Sequence, residues 1–174
     1  PYLPFSEVLG RMAAALPDVV DTTTGLHPAL TRLQPGRRVL SSHEEGESSA
    51  LDRADLFEAV HELLEEAAAK APVLLVVEDT HWADQSTRDM LSFLFSRPFV
   101  GPVAVVVSYR ADDLHRRHPL RRQVAEWSRI RGVHRVALAP LPEDAVRALV
   151  AELAPDTLSE EALAGVVARA EGNA

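Results

Sequence analysis

Residues 73–84, Val-Leu-Leu-Val-Val-Glu-Asp-Thr-His-Trp-Ala-Asp, constrain this chain more than any other stretch. Five consecutive apolar residues, three of them β-branched, read as a strand buried on both faces. Continuous apolar runs of this kind mark central parallel strands, whereas half-solvated strands alternate. The run ends in two adjacent carboxylates, Glu78 and Asp79, which the strand delivers to the rim of its sheet. In open α/β sheets ligands bind in the crevice beyond the carboxyl ends of the strands. The acidic pair therefore stands where a site is expected, although adjacent acids after a buried strand also occur as ordinary solvated loop residues.

A second apolar run, Val103-Ala104-Val105-Val106-Val107, follows Gly101-Pro102 and reads as another buried strand. It ends in Ser108-Tyr109-Arg110, so Arg110 falls at the same rim as the acids; the plainer reading pairs it with Asp112, Asp113 or Glu78. Between the strands the spacing predicts a helix over 87–97, with Met90, Leu91, Leu94 and Phe95 inward and Pro98 as its stop. Ser86, with Asp89 three residues on, resembles its capping box. Upstream, Leu56, Phe57, Val60, Leu63, Leu64 and Ala67 share one face of a helix over 52–70. Pro72 ends that helix and launches the first strand. A helix followed closely by a buried strand is half of a βαβ unit.

The remaining segments frame this unit. Phe5, Val8, Leu9 and Met12 predict a helix within residues 1–16, with Ser6 able to cap its start. Residues 17–50 show little core-forming pattern, and 41–49 are polar and acidic. A long surface loop, partly disordered, is expected there, with a short helix near Pro28–Leu33. His115-Arg116-Arg117-His118 and Arg121-Arg122 form a basic patch on a helix ending near Arg129, with Trp127 in the core. That patch reads as a solvated face or a subunit contact; a metal held by His115 and His118 lacks a third ligand. Gly132 precedes a short third strand over 133–138, and Ala139-Pro140-Leu141-Pro142 marks a boundary. Two amphipathic helices follow, the first stopped at Pro155, the second capped by Ser159 and closed by Gly172-Asn173.

Composition excludes several classes. A formal charge of −8 argues against these residues gripping nucleic acid, whose phosphates demand a basic surface. Without cysteine there is no disulfide framework and no thiolate metal site, which fits a cytoplasmic protein. No apolar run approaches the roughly 18 residues that span a bilayer, so no membrane contact is expected. The His-Glu pairs at 43–44 and 61–62 lack the second histidine of a zinc protease, with Glu47 and Glu65 in its place. Lys70 is the single lysine and sits between alanines, so the chain holds no Gly-x-x-x-x-Gly-Lys-[Ser/Thr] phosphate loop.

An apolar strand ending in an acidic pair is the Walker B arrangement of nucleotide hydrolases, and here it continues as Thr80-His81-Trp82-Ala83-Asp84. This resembles the LHWAD continuation of Walker B in the AAA-like ATPase modules of large LuxR-type transcriptional regulators, members of the STAND class of P-loop ATPases. The opening Pro1-Tyr2-Leu3-Pro4-Phe5 and the helix before the strand are also similar to that family. The resemblance implies an α/β fold, a partial P-loop three-layer sandwich with a mostly parallel sheet, followed by the start of a helical lid. Residues 1–139 are the expected nucleotide-binding core and 140–174 the expected lid.

The implied cofactors are ATP and Mg²⁺. Glu78 is expected to assist the metal through water, Asp79 to serve as base, and Arg110 to read the γ-phosphate as a sensor. Glutamate reaches further than aspartate, so the first two roles are exchangeable. Gly172 stands where the family's Gly-x-Pro turn approaches the adenine, with Ala174 in place of proline; a plain helix stop is the other reading.

The chain is expected to be the C-terminal part of an ATP-binding and hydrolysing switch domain in a multidomain transcriptional or signalling regulator. ATP and the parent's other domains are the expected partners, with DNA contacted only by a separate domain. Lacking the phosphate loop and its strand, the stretch alone is expected to be inactive and marginally stable, or to self-associate through apolar sheet edges. The alternative is a non-catalytic α/β interaction module that keeps the scaffold without nucleotide turnover.

Overall fold

The structure, a computed structural model, describes residues 1–34, 47–154 and 159–173. They form two compact units, Pro1–Val133 and His134–Ala174.

In the first unit, β1 (Val73–Val77) and β2 (Val103–Val107) pair in parallel, Val73 opposite Val103 through Val77 opposite Val107. Parallel strands need a crossover, and α4 (Gln85–Ser96) lies between them in the chain. The long helix α3 (Glu47–Ala68) precedes β1. Leu56, Val60, Leu63 and Leu64 of α3 join Met90, Leu91 and Leu94 of α4 in one buried cluster, and Leu75 and Val77 enter it from β1. Leu74 and Val76 point the other way and are exposed. The expectation of a strand buried on both faces is therefore corrected. Among the described residues helices cover one face of the sheet only, and alternation sends every second side chain to the other.

Residues 17–26 are not the expected loop but form α2 (Pro17–Leu26), and the short helix expected near Pro28–Leu33 is there as a 3₁₀ helix (Pro28–Leu33); both pack beside α1 (Leu3–Ala15) and α3. Proline opens each of the two at a position whose N–H has no intrahelical partner. Val19, Val20, Leu30 and Leu33 are buried in the same core as Phe5 and Leu9, while Thr23 returns its hydroxyl to the Val19 carbonyl at 2.8 Å. Ser6 lies inside α1 rather than capping it. The break at Pro35-Gly36 and the acidic segment up to Gly46 lie outside the described residues.

The α4 cap is also corrected. Asp84, not Ser86, is the N-cap: its carboxylate accepts the Thr87 N–H at 2.9 Å and the Thr87 hydroxyl at 3.0 Å. Partial burial pushes the Asp84 carboxyl up, but these hydrogen bonds outweigh it and hold the group below its usual range. Just before β2, Glu65 of α3 accepts the N–H groups of Val100 (2.6 Å) and Gly101 (2.9 Å). A Cβ at Gly101 would lie 2.9 Å from the Glu65 carboxylate and 3.0 Å from Ala68, so a larger residue there has to push the carboxylate aside.

α5 (Pro119–Trp127) buries Leu120, Val124 and Trp127, whose indole N–H donates to Ser92 Oγ at 2.9 Å. The expected third strand over 133–138 is not formed: among the described residues these have no strand partner, and Val136 and Leu138 are 78% and 92% exposed. β-branched sequence alone does not make a strand without a neighbour to pair with.

In the second unit α6 (Glu143–Leu153) packs on α7 (Glu160–Ala170), burying Val146 and Val167. Ser159 caps α7 through the Ala162 N–H at 3.3 Å. The stop assigned to Pro155 lies outside the described residues.

Candidate functional site

The parallel register fixes what meets at the carboxyl end of the sheet. Beyond Val77 and Val107 the strands stay tied, with Ser108 N–H donating to the Val77 carbonyl (3.0 Å) and Thr80 N–H to the Ser108 carbonyl (2.9 Å). Ser108 holds the acidic turn twice more: its hydroxyl accepts the Asp79 N–H at 3.1 Å, and its carbonyl accepts the Thr80 hydroxyl at 2.7 Å. Asp79 occupies the left-handed region at φ 52°, a conformation that costs a non-glycine residue on the order of 1 kcal/mol or more. That turn ends the strand sharply and leaves the Asp79 carboxylate 58% exposed.

Glu78 directly follows β1 in the row of Leu74 and Val76 and is exposed, as is Arg110, three residues beyond the end of β2. Arg110 Nε lies 4.0 Å from Asp79 Oδ1. The rim thus brings together three of the residues singled out by the sequence: Glu78, Asp79 and Arg110. Among the described residues the carboxylate in ion-pair reach of Arg110 is Asp79, rather than Glu78, Asp112 or Asp113.

Gly172, the fourth, belongs to the other compact unit. Its φ of 79° suits glycine, and a Cβ there would lie 2.6 Å from Pro140 Cβ. Its carbonyl accepts the Leu141 N–H at 2.7 Å. Glycine is therefore required at this turn by the close return of the 140–141 backbone.

His81 was not assigned a role from sequence. Its side chain is only 2% exposed and lies between two carboxylates, with Nδ1 3.8 Å from Asp79 Oδ1 and Nε2 3.1 Å from Asp113 Oδ2. Neither contact is aligned as a hydrogen bond, so both ring nitrogens are buried without a partner among the described residues. Asp113 arrives from the segment after β2, a juxtaposition no local pattern announces. Trp82, beside His81 at 5.2 Å between rings, is 81% exposed. Arg88, itself buried, donates to the Ala83 carbonyl and to Gln85 Oε1, fixing the turn against α4.

Chemically, the rim offers carboxylate oxygens and a guanidinium within one cluster, in solvent reach. Mg²⁺ takes oxygen ligands, keeps several waters and is bound through one or two carboxylates plus phosphate. A guanidinium donates a planar fork to phosphate oxygens. The donor set fits both. Among the described residues no three His, Asp or Glu side chains gather as a metal cage, and no helix is long and apolar enough to cross a membrane.

Residues 1–107, more than half of the chain, match the family model described as an AAA ATPase domain. No curated protein and no solved structure matches the chain.

Proposed function

The chain belongs to the AAA ATPase domain family, and on that premise we propose that the rim formed by Glu78, Asp79 and Arg110 is its Mg²⁺-ATP site. The observation that carries this reading is the convergence of Asp79 and Arg110, 4.0 Å apart, from the ends of two adjacent parallel strands. A carboxylate and an arginine that meet there can address the same terminal phosphate from two sides. Bound Mg²⁺ supplies charge neutralisation at the phosphates.

Glu78 reaches the metal through water. Asp79 orients the attacking water and takes its proton, and Arg110 binds the γ-phosphate oxygens. Ser108 holds the turn that carries Asp79. Residues 1–139 act as part of a nucleotide-binding core and 140–174 as the start of a helical lid. The domain serves as a STAND-type regulatory switch in a multidomain regulator of the LuxR kind, where loss of the γ-phosphate is converted into a conformational change.

The test uses the full-length protein. Asp79→Asn is expected to abolish ATP hydrolysis while calorimetry still detects ATP, and Glu78→Gln to weaken Mg²⁺-dependent binding. The reverse pattern exchanges the two roles. Unchanged hydrolysis in both variants overturns the catalytic assignment. Failure of the unmodified protein to bind Mg²⁺-ATP leaves the scaffold as a non-catalytic interaction module.

A further inference from the structure

We propose that the cleft beside the start of α5 is a second anion site, one that takes the polyphosphate group of a small ligand. The cleft has a volume of about 740 Å³ and is lined by Arg116, Arg117, Arg121 and Arg122 together with His118 and Gln123. It shares no residue with the rim of Glu78, Asp79 and Arg110, so it stands independently of the function proposed above.

Four guanidiniums gather here in a chain whose net charge is −8, so the patch is local and not a product of composition. The one carboxylate in the lining, Glu126, is occupied by Arg122 Nε at 2.8 Å. Among the described residues Arg116, Arg117 and Arg121 have no carboxylate in ion-pair reach, and all three are exposed. Like charges this close repel one another unless an anion sits between them.

The neutral groups add to the same preference. His118 Nδ1 accepts the Leu120 N–H at 3.2 Å, so in the neutral ring the proton is on Nε2, a further donor. The N-terminal end of α5 adds partial positive charge from its backbone N–H groups.

The chemistry narrows the guest. Forked guanidiniums match oxyanions two oxygens at a time, and four of them exceed what one phosphate needs. No Phe, Tyr or Trp lines the cleft among the described residues, so the broad stacking platform that single-stranded nucleic acid uses is missing. The volume lies within the range of small-molecule pockets, and the apolar residues of the lining, Pro119 and Ala125, are too small to anchor a peptide. A compact ligand with two or more phosphates, free or carried on a nucleotide, fits best.

The experiment is calorimetry on the full-length protein with inorganic tripolyphosphate at low salt. Arg117→Glu/Arg121→Glu is expected to weaken binding by about tenfold or more, while Arg11→Glu, at an exposed position on α1 outside both sites, leaves it within about twofold. All of these side chains are exposed, and an unchanged thermal midpoint verifies the fold; Arg117→Gln/Arg121→Gln replaces the pair if the charge reversal perturbs it. Displacement by ATP assigns the group to a nucleotide, and absence of displacement assigns it to a free polyphosphate; both support the site.

No binding of tripolyphosphate overturns the proposal. So does loss of binding in Arg110→Ala with retention in the double variant, which moves the anion to the sheet rim. Citrate binding as well as tripolyphosphate, or a short DNA duplex binding far more tightly through the same arginines, also overturns it.

Discussion

The two faces of the small sheet differ more than their sequences do. On β1, Leu75 and Val77 are 4% and 3% exposed, while Leu74 and Val76, identical in type, are 65% and 49% exposed. The covered side is closed by α3 and α4 and holds the core together. The other side ends, at the rim, in Glu78. Stability and candidate chemistry are thus separated by the two-residue period of a strand. One set of alternate side chains anchors the sheet to its helices, and the other leads to the polar groups.

The largest expected effect breaks this comparison at its strongest point. Leu75→Ala should cost about 2–4 kcal/mol, since it opens a cavity in a packed cluster. Leu74→Ala, one residue away, should stay within about 0.5 kcal/mol, as surface substitutions do. Urea unfolding of both variants measures the difference. Equal losses would mean that the open side is covered in solution.

A second, smaller effect tests how the covered side holds β2. Hydrogen bonds from Val100 and Gly101 to Glu65 outweigh the effect of burial and keep its carboxyl below the usual glutamate range. A lowered folded value means the contribution is fully present above about pH 4.5 and is lost as pH falls through the folded value. Glu65→Gln should cost about 1–2 kcal/mol at neutral pH. It should also flatten the acid limb of the stability profile, and an unchanged limb would remove Glu65 from the clamp. Gly101→Ala forces the same carboxylate aside and should destabilise to a similar extent.

Much of this was readable from the chain, and the misses share a cause. The two strands, α3, α4 and the acid–arginine rim follow from apolar runs, helical spacing and Pro punctuation, which are local signals. Burial of Leu74 and Val76 was expected because a continuous apolar run assumes cover on both sides, and cover is a tertiary property. α2 was missed because its buried Val19 and Val20 are a sparse signal and Pro17 starts the helix rather than breaking the chain, whereas the short helix near Pro28–Leu33 was expected and is there. The strand over 133–138 was over-read for the opposite reason: Val133, Val136 and Leu138 look β-like but find no strand to pair with among the described residues. His81 stands beside the acids in sequence, yet its burial against Asp113 depends on how the segment after β2 returns.

The N-cap of α4 gives a third prediction, at the junction of the rim and the covered side. Asp84→Ala should cost about 1 kcal/mol by leaving the Thr87 N–H without its partner, and Asp84→Ser should restore most of it. The Asp84 carboxyl is held low in the folded state, so this contribution persists above the ordinary aspartate range and fades as pH falls through the lower folded value. Thermal midpoints of the two variants at pH 7 and at pH 3 separate cap from packing. A difference between Ala and wild type that stays constant across that range would assign the loss to packing alone.

The smallest expected effect sharpens the comparison most. Arg110 is 75% exposed, and its distance of 4.0 Å from Asp79 is the outer limit of an ion pair. Exposed pairs of this kind contribute about 0–1 kcal/mol, so Arg110→Ala should move stability by no more than about 0.5 kcal/mol. Asp79→Asn should do little more, and Asp79→Gly should be neutral or stabilising, because glycine relieves the left-handed turn at φ 52°. Residues that can be removed without loss to the fold, yet are held in a strained turn by three hydrogen bonds from and to Ser108 and Thr80, are placed for something other than stability. If instead Arg110→Ala destabilises by more than about 1 kcal/mol in urea unfolding, the rim is structural after all. The contrast between the two ends of the alternation then disappears.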